Sequence, residues 1–244
     1  MWNHHSIPDA QQLSALPILP LTRVVLLPGM ALPINVHEPA SHALVDHVRH
    51  HGQHLGVPLA MPGVPLPRVF TLARILSHVE IGRGRCLIRV VGVGRVEAAY
   101  PPTEQPLRAL AVRALDEPRP RDPLQLAILR AQVERILADT GESSLALRTL
   151  LDVRDDRVFL YTLTACLPVL ELMPHVALAG AEHGAGLHAG LHAELDAELD
   201  ADELPTAQQQ SLAAANADER AALLVARTAA VLVALGRRFS ATLH

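Results

Sequence analysis

The sequence predicts an α+β protein in which a mostly antiparallel β pseudobarrel precedes an α-helical bundle. Three observations carry that expectation. Up to about Leu115, short apolar runs alternate with polar residues at a period of two and are cut by Pro- and Gly-rich turns. At residues 116–121, DEPRPR, the composition becomes charged and proline-rich. Beyond it, apolar residues recur at three- and four-residue spacing, as on one face of a helix.

Residues 1–15 read as a flexible lead-in. Val24 to Leu27 form an apolar, strand-like run that stops at the turn signal Pro28-Gly29. Leu32, Ile34 and Val36 then alternate with Pro33, Asn35 and His37, and Pro33, lacking an N–H, favours a sheet edge. Pro39 suits the first turn of a helix and Gly52 its stop, with Ala40, Leu44 and Val48 on one face. A strand from Leu55 to Met61 and a loop from Pro62 to Pro67 follow. Phe70 to Ile81 and Cys86 to Glu97 form a hairpin about Gly82-Arg83-Gly84-Arg85. Gly92 and Gly94 mark a bulge or a sharp bend, and Leu107 to Leu115 supplies the last strand. Six short strands and one helix make a small, partly closed barrel over residues 16–117.

Residues 118–244 form the helical unit. Asp122 is placed to cap a helix with Pro123 in its first turn, and Leu126, Leu129, Val133 and Ile136 follow at helical spacing. Further helical runs cover Leu145 to Leu151 and Asp156 to Leu167. A last helix starts at Asn216, with Glu219 in a capping-box arrangement and a stripe of Leu224, Thr228, Val231, Leu235 and Phe239. Between them, residues 186–201 read GLHA-GLHA-ELDA-ELDA. A four-residue period drifts about 40° per repeat on an α-helix, so its leucines curl around the surface instead of forming one seam. We read this tandem as part of a low-complexity insertion at about 173–204.

Composition narrows the chemistry. At 244 residues the chain makes one large domain or two small ones. Half the residues are hydrophobic but only 2% are aromatic, so the core is aliphatic. The net charge of −4 gives no general attraction to nucleic acid or anionic membrane. All 21 basic residues are Arg, and there is no Lys. That excludes a phosphate-binding loop with its Lys, a Schiff-base amine and a Ser–Lys dyad, since guanidinium stays protonated. Eight serines include no G-x-S-x-G elbow, and Asp155-Asp156 fit the start of a helix better than a catalytic pair. Cys86 and Cys166 lie in apolar runs and are expected as buried reduced thiols. The first residues lack a signal peptide, and the apolar stretch Ala221 to Leu235 is interrupted by Arg227 and short of the roughly 20 residues a membrane helix needs. The expectation is a cytoplasmic protein with no membrane partner and no cofactor.

Five segments resemble the N-terminal substrate-binding domain of Lon proteases. Residues 16–36, LPILPLTRVVLLPGMALPINV, are similar to the family's opening Pro-Leu run, Val-Val strand, Pro-Gly-Met and Leu-Pro strand. Residues 70–76, FTLARIL, resemble a G-T-V-A-R-I-like strand with Phe70 where Gly is usual. Residues 88–96, IRVVGVGRV, resemble V-x-V-x-G-x-x-R. Residues 155–168, DDRVFLYTLTACLP, and 208–220, QQQSLAAANADER, resemble the family's helices, the second with Gln in place of Lys. The segments come in the family's order and span roughly 16–172 and 205–235, with the insertion between two family helices. The resemblance implies a PUA-like barrel followed by a helical bundle, in a form without the ATPase and Ser–Lys protease modules, both of which depend on Lys. It implies a non-catalytic module that binds flexible or unfolded polypeptide segments and works with a separate protease or chaperone.

Candidate residues follow from that reading. Pro28, Gly29, Met30 and Leu32, beside an edge-like strand, are the peptide-binding candidates, since Met adapts to varied partners. The plainer alternative is that Met30 fills the core under its turn. An RNA-binding alternative rests on Arg83, Arg85, Arg89 and Arg95 around one hairpin, although Phe70 and Tyr100 are the only aromatics there for base stacking. Histidines gather at His37, His42, His47, His50, His51 and His54, and His47/His51 and His50/His54 stand one helical turn apart. No carboxylate or cysteine completes a motif such as H-E-x-x-H, so these residues, with His188 and His192, read as solvated and no metal site is assigned.

Overall fold

The computed structural model of the protein describes residues 8–82, 84–99, 109–140, 149–182 and 203–241. The chain divides into two compact units, Met1–Glu117 and Pro118–His244. The boundary falls in the charged, proline-rich stretch.

In the first unit, a single turn α1 (Ala10–Leu13), capped by the Asp9 carboxylate, stands within the lead-in. It is followed by β1 (Leu16–Pro17), β2 (Ala31–Val36), α2 (Pro39–His50), β3 (His54–Val57), β4 (Val69–Gly82), β5 (Arg85–Ala98), β6 (Ala109–Leu110) and β7 (Val112–Leu115). The long β4–β5 hairpin is the axis, and all ladders are antiparallel. The main sheet runs β2-β5-β4-β3, with β7 also on β5, and β1 pairs with β6 apart from it. Single parallel bridges, Ile18 to Gly56 and Leu21 to Leu59, tie the segment after β1 to the region of β3. Because single bridges and not ladders join the two sheets, the barrel stays open.

Along one edge of β5, β2 pairs with Cys86 to Val91 and β7 with Arg95 to Ala98. The gap between them is at Gly92, where Pro28 bridges instead. The β4–β5 register passes from Leu72–Gly94 to Ala73–Gly92, so Val93 is the extra residue of a bulge between the two glycines. Gly92 is required by closeness, since a Cβ there would stand 2.4 Å from the Leu27 carbonyl oxygen. Gly52 does end α2: it has φ 122, and the Gln53 amide returns to the Val48 carbonyl at 2.8 Å.

Two expectations need correction here. Val24 to Leu27 is not a strand, although Val25, Leu26 and Leu27 are buried. Its carbonyls are met individually, Leu26 by the Thr71 hydroxyl and Leu27 by the Met30 amide. The expected strand from Leu107 to Leu115 is, within the described residues, two short pieces. They are broken at Ala111, whose carbonyl accepts from Ala99.

The second unit contains α3 (Pro123–Thr140), α4 (Asp156–Glu182), α5 (Glu203–Ala213) and α6 (Ala217–Ala241). Asp122 caps α3 by accepting from the Leu124 amide at 2.9 Å, and Asn216 caps α6 by accepting from the Glu219 amide at 2.8 Å. Leu126, Leu129, Val133, Ile136, Leu160, Leu163, Leu167, Leu224, Val231 and Leu235 share one core. The helix expected to end at Leu167 continues through Pro168 to Glu182. Proline removes the amide that would have bonded the Thr164 carbonyl, and Gln208 Nε2 reaches that oxygen at 3.5 Å. The start of the expected insertion at 173 therefore lies inside α4, and its end at 204 lies inside α5. The GLHA/ELDA tandem, with His188 and His192, lies outside the described residues.

Candidate functional site

The turn at residues 28–30 is held by backbone bonds. The Gly29 amide donates to the Gly92 carbonyl at 2.8 Å, and the Gly92 amide donates to the Met30 carbonyl at 3.0 Å. Gly29 is exposed with φ 84, the left-handed conformation that favours glycine. Pro28 is buried, while Met30 and Leu32 are half-buried and pack against the core formed by Leu44, Val48, Ile88 and their neighbours. The turn therefore presents backbone at Gly29, and its apolar side chains turn inward.

Exposed apolar surface lies instead at the far end of the hairpin. Leu76, Val79, Ile81 and Leu87 are 45, 55, 50 and 37% exposed. Strand alternation explains the grouping: Cys86, Ile88 and Val90 are buried on one face while Arg85, Leu87 and Arg89 stand on the other. Leu87 is directly opposite Val79 on β4 and Asn35 on β2. Leu76 is out of alternation because the register shifts between Ile75 and Ser77. β2 is an edge of the sheet, as Pro33 suggested, and no described strand pairs with its other side.

The arginine cluster separates. Arg85 and Arg89 are exposed on the outer face. Arg95 is not part of that patch: its side chain is 1% exposed, and its Nε donates to Glu117 at 2.8 Å. A buried, paired guanidinium cannot contact a phosphate. Arg83 lies outside the described residues.

The histidines divide in a similar way. His37, His47, His50 and His51 are exposed, with the His47 and His51 rings stacked 4.3 Å apart. His50 and His51 each use Nδ1 on the backbone carbonyl one turn back, at 2.7 and 2.8 Å. His42 departs from the solvated expectation, being half-buried against β4, as does half-buried His54 at the start of β3.

Both cysteines are withdrawn from solvent, Cys86 fully and Cys166 in part. Burial raises the Cys86 thiol, Glu80 and Asp46 raise it further, and Arg49 opposes them. Burial alone raises Cys166. Both therefore stay protonated near neutral pH and are free thiols.

The first unit is thus an open antiparallel sheet with an exposed edge strand and an apolar outer strip, and the second is helical. Comparison with known proteins gives the family. The chain belongs to the ATP-dependent protease La (LON) substrate-binding domain family, which it matches over residues 15–234. It is similar to a Lon protease of Salinispora arenicola, 35% identical over 116 residues, and to one of Flavobacterium johnsoniae, 28% identical over 113. Those alignments cover 44 and 43% of this chain and 14% of each relative's length. Its fold is similar to the N-terminal domain of a Mycobacterium avium complex Lon protease, with a TM-score of 0.54 and 18% identity. That likeness covers 88% of this chain and 98% of the other. Among the described residues, no helix is long and apolar enough to cross a membrane.

Proposed function

We propose that the protein binds flexible or unfolded polypeptide segments without cutting them, using the outer end of the β4–β5 hairpin and the free edge of β2. Membership of a substrate-binding family is the observation that carries this reading. Chains without fixed structure are held by exposed apolar side chains and by strand addition, and the two features adjoin here. Val79 and Leu87 form an exposed cross-strand pair, and Leu87 is next to Asn35 on the edge strand. At the head of β2, after buried Pro28, exposed Gly29 and half-buried Met30 and Leu32 lie at the margin of this surface. The complete absence of Lys supports a role that ends at binding. A separate protease or chaperone would receive the bound segment, in a reducing cytoplasm where Cys86 and Cys166 remain reduced.

Val79→Glu and Leu87→Glu test this by placing charge on the strip. Each should weaken binding of a fluorescent unfolded polypeptide, read by anisotropy, at least tenfold. Both positions are exposed, so unfolding should move by no more than about 0.5 kcal/mol. Unchanged affinity in the double variant contradicts the assignment. Preferential RNA binding that falls steeply with salt would favour the arginine face instead.

A further inference from the structure

Three elements bring His42 of α2, His78 of β4 and Cys86 of β5 to one place. One ring nitrogen from each histidine and the Cys86 Sγ all lie within 4.8 Å of one another. The register explains how: Cys86 is opposite Glu80, two residues beyond His78, while Cys86 shares its core with Leu44, Val45 and Val48 of α2. The His78 side chain is 8% exposed, His42 is 23% exposed, and Cys86 is fully buried.

The two Nε2 atoms are buried without a hydrogen-bond partner. They face the two oxygens of one carboxylate, His78 at 3.2 Å and His42 at 3.6 Å from Glu80. On the other side of its ring, His42 Nδ1 lies 3.2 Å from Asp46, one helical turn away. A carboxylate on Nδ1 fixes the tautomer that leaves an Nε2 lone pair pointing inward, the outer-shell arrangement common to metal-bound histidines. A pair of histidines sharing Glu80 would account for the carboxylate. It does not account for a thiol buried among two imidazole nitrogens that lack hydrogen bonds.

We propose that His42, His78 and Cys86 bind one zinc-like divalent cation, with Glu80 as fourth donor and Asp46 orienting His42. Two imidazoles, a thiolate and a carboxylate suit Zn²⁺, which takes N, S and O donors tetrahedrally. Such a site needs donors roughly 3.5 Å apart, as follows from metal–ligand bonds of about 2.0–2.3 Å. The side chains must therefore close in by about 1 Å. Glu80 can follow, being 58% exposed. Binding displaces the Cys86 proton to solvent, so occupancy falls as pH falls. The bound ion would tie α2 to the hairpin beside the exposed Val79–Leu87 pair.

Cobalt(II) titration of the metal-free full chain tests this, because only thiolate ligation gives a near-ultraviolet sulfur-to-cobalt charge-transfer band. The band should saturate at one cobalt per chain and be displaced by zinc. Cys86→Ser should abolish it, His78→Gln should weaken affinity at least 100-fold, and Asp46→Asn by about 10–100-fold. Should Cys86→Ser not fold, His78→Gln with its thiol intact carries the test. Cobalt binding without the band overturns the proposal, because that is the behaviour of exposed histidines. So does affinity that is lost in the His47→Gln/His51→Gln variant and kept in His78→Gln.

Discussion

The Gly92 amide donates to the Met30 carbonyl at 3.0 Å, and the Gly29 amide donates to the Gly92 carbonyl at 2.8 Å. This exchange fixes the start of β2 against the bulge of β5, filling the gap between the β2 and β7 ladders. Gly92→Ala should therefore destabilise the first unit by about 1–3 kcal/mol, the usual cost of forcing extra volume into a packed site. Gly94→Ala is the control, because a Cβ there meets nothing within 4 Å. Urea midpoints of the two variants check this, and equal midpoints would contradict it.

Arg95 and Glu117 form a pair whose side chains are 1 and 7% exposed. Removing one partner of a buried pair costs about 3–5 kcal/mol, so Arg95→Met should lower stability by that order. Exposed Arg85→Ala and Arg89→Ala should change it by no more than about 0.5 kcal/mol. Chemical denaturation of all three separates a structural arginine from surface ones.

Asp155 begins α4, accepting at Oδ1 from the Arg157 amide at 3.0 Å and the Val158 amide at 3.3 Å. Burial works against its charge. Hydrogen bonds from the Arg157 side chain and these amides, with the guanidinium charge, outweigh it and hold the carboxyl below its ordinary value of 3.8. A carboxylate depressed in the folded state adds stability above its unfolded pKa and loses it as pH falls through the folded one. Asp155→Asn keeps an acceptor at the cap but not the charge. Its thermal midpoint should fall less steeply than the wild type's below about pH 4. Parallel acid-side curves for the two proteins would contradict this.

What could be read from the sequence was local. The β4–β5 hairpin was legible because Gly82 and Gly84 punctuate two alternating runs. The caps at Asp122 and Asn216 were legible because capping acts over three residues. Pro33 placed β2 at an edge, as observed. Val24 to Leu27 was misread because burial makes an apolar run whether or not a ladder forms. Helix α4 was cut short at Pro168 because the compensating Gln208 lies 40 positions later. The inward turn of Met30, the burial of Arg95 and the meeting of His42, His78 and Cys86 depend on register between elements, which residue types alone do not reveal. Leu87 was not singled out, although its alternation with Cys86 and Ile88 offered a signal, and its pairing with Val79 required the hairpin register.

Binding without cleavage is what sets the proposed role apart from that of a protease. The most direct measurement mixes the purified chain with fluorescent, unfolded casein, follows anisotropy to saturation, and then runs the same samples on a denaturing gel, with and without ATP. Saturable binding and casein of unchanged length are the expected result. Fragments that grow with time, or no binding at any protein concentration reached, would contradict it.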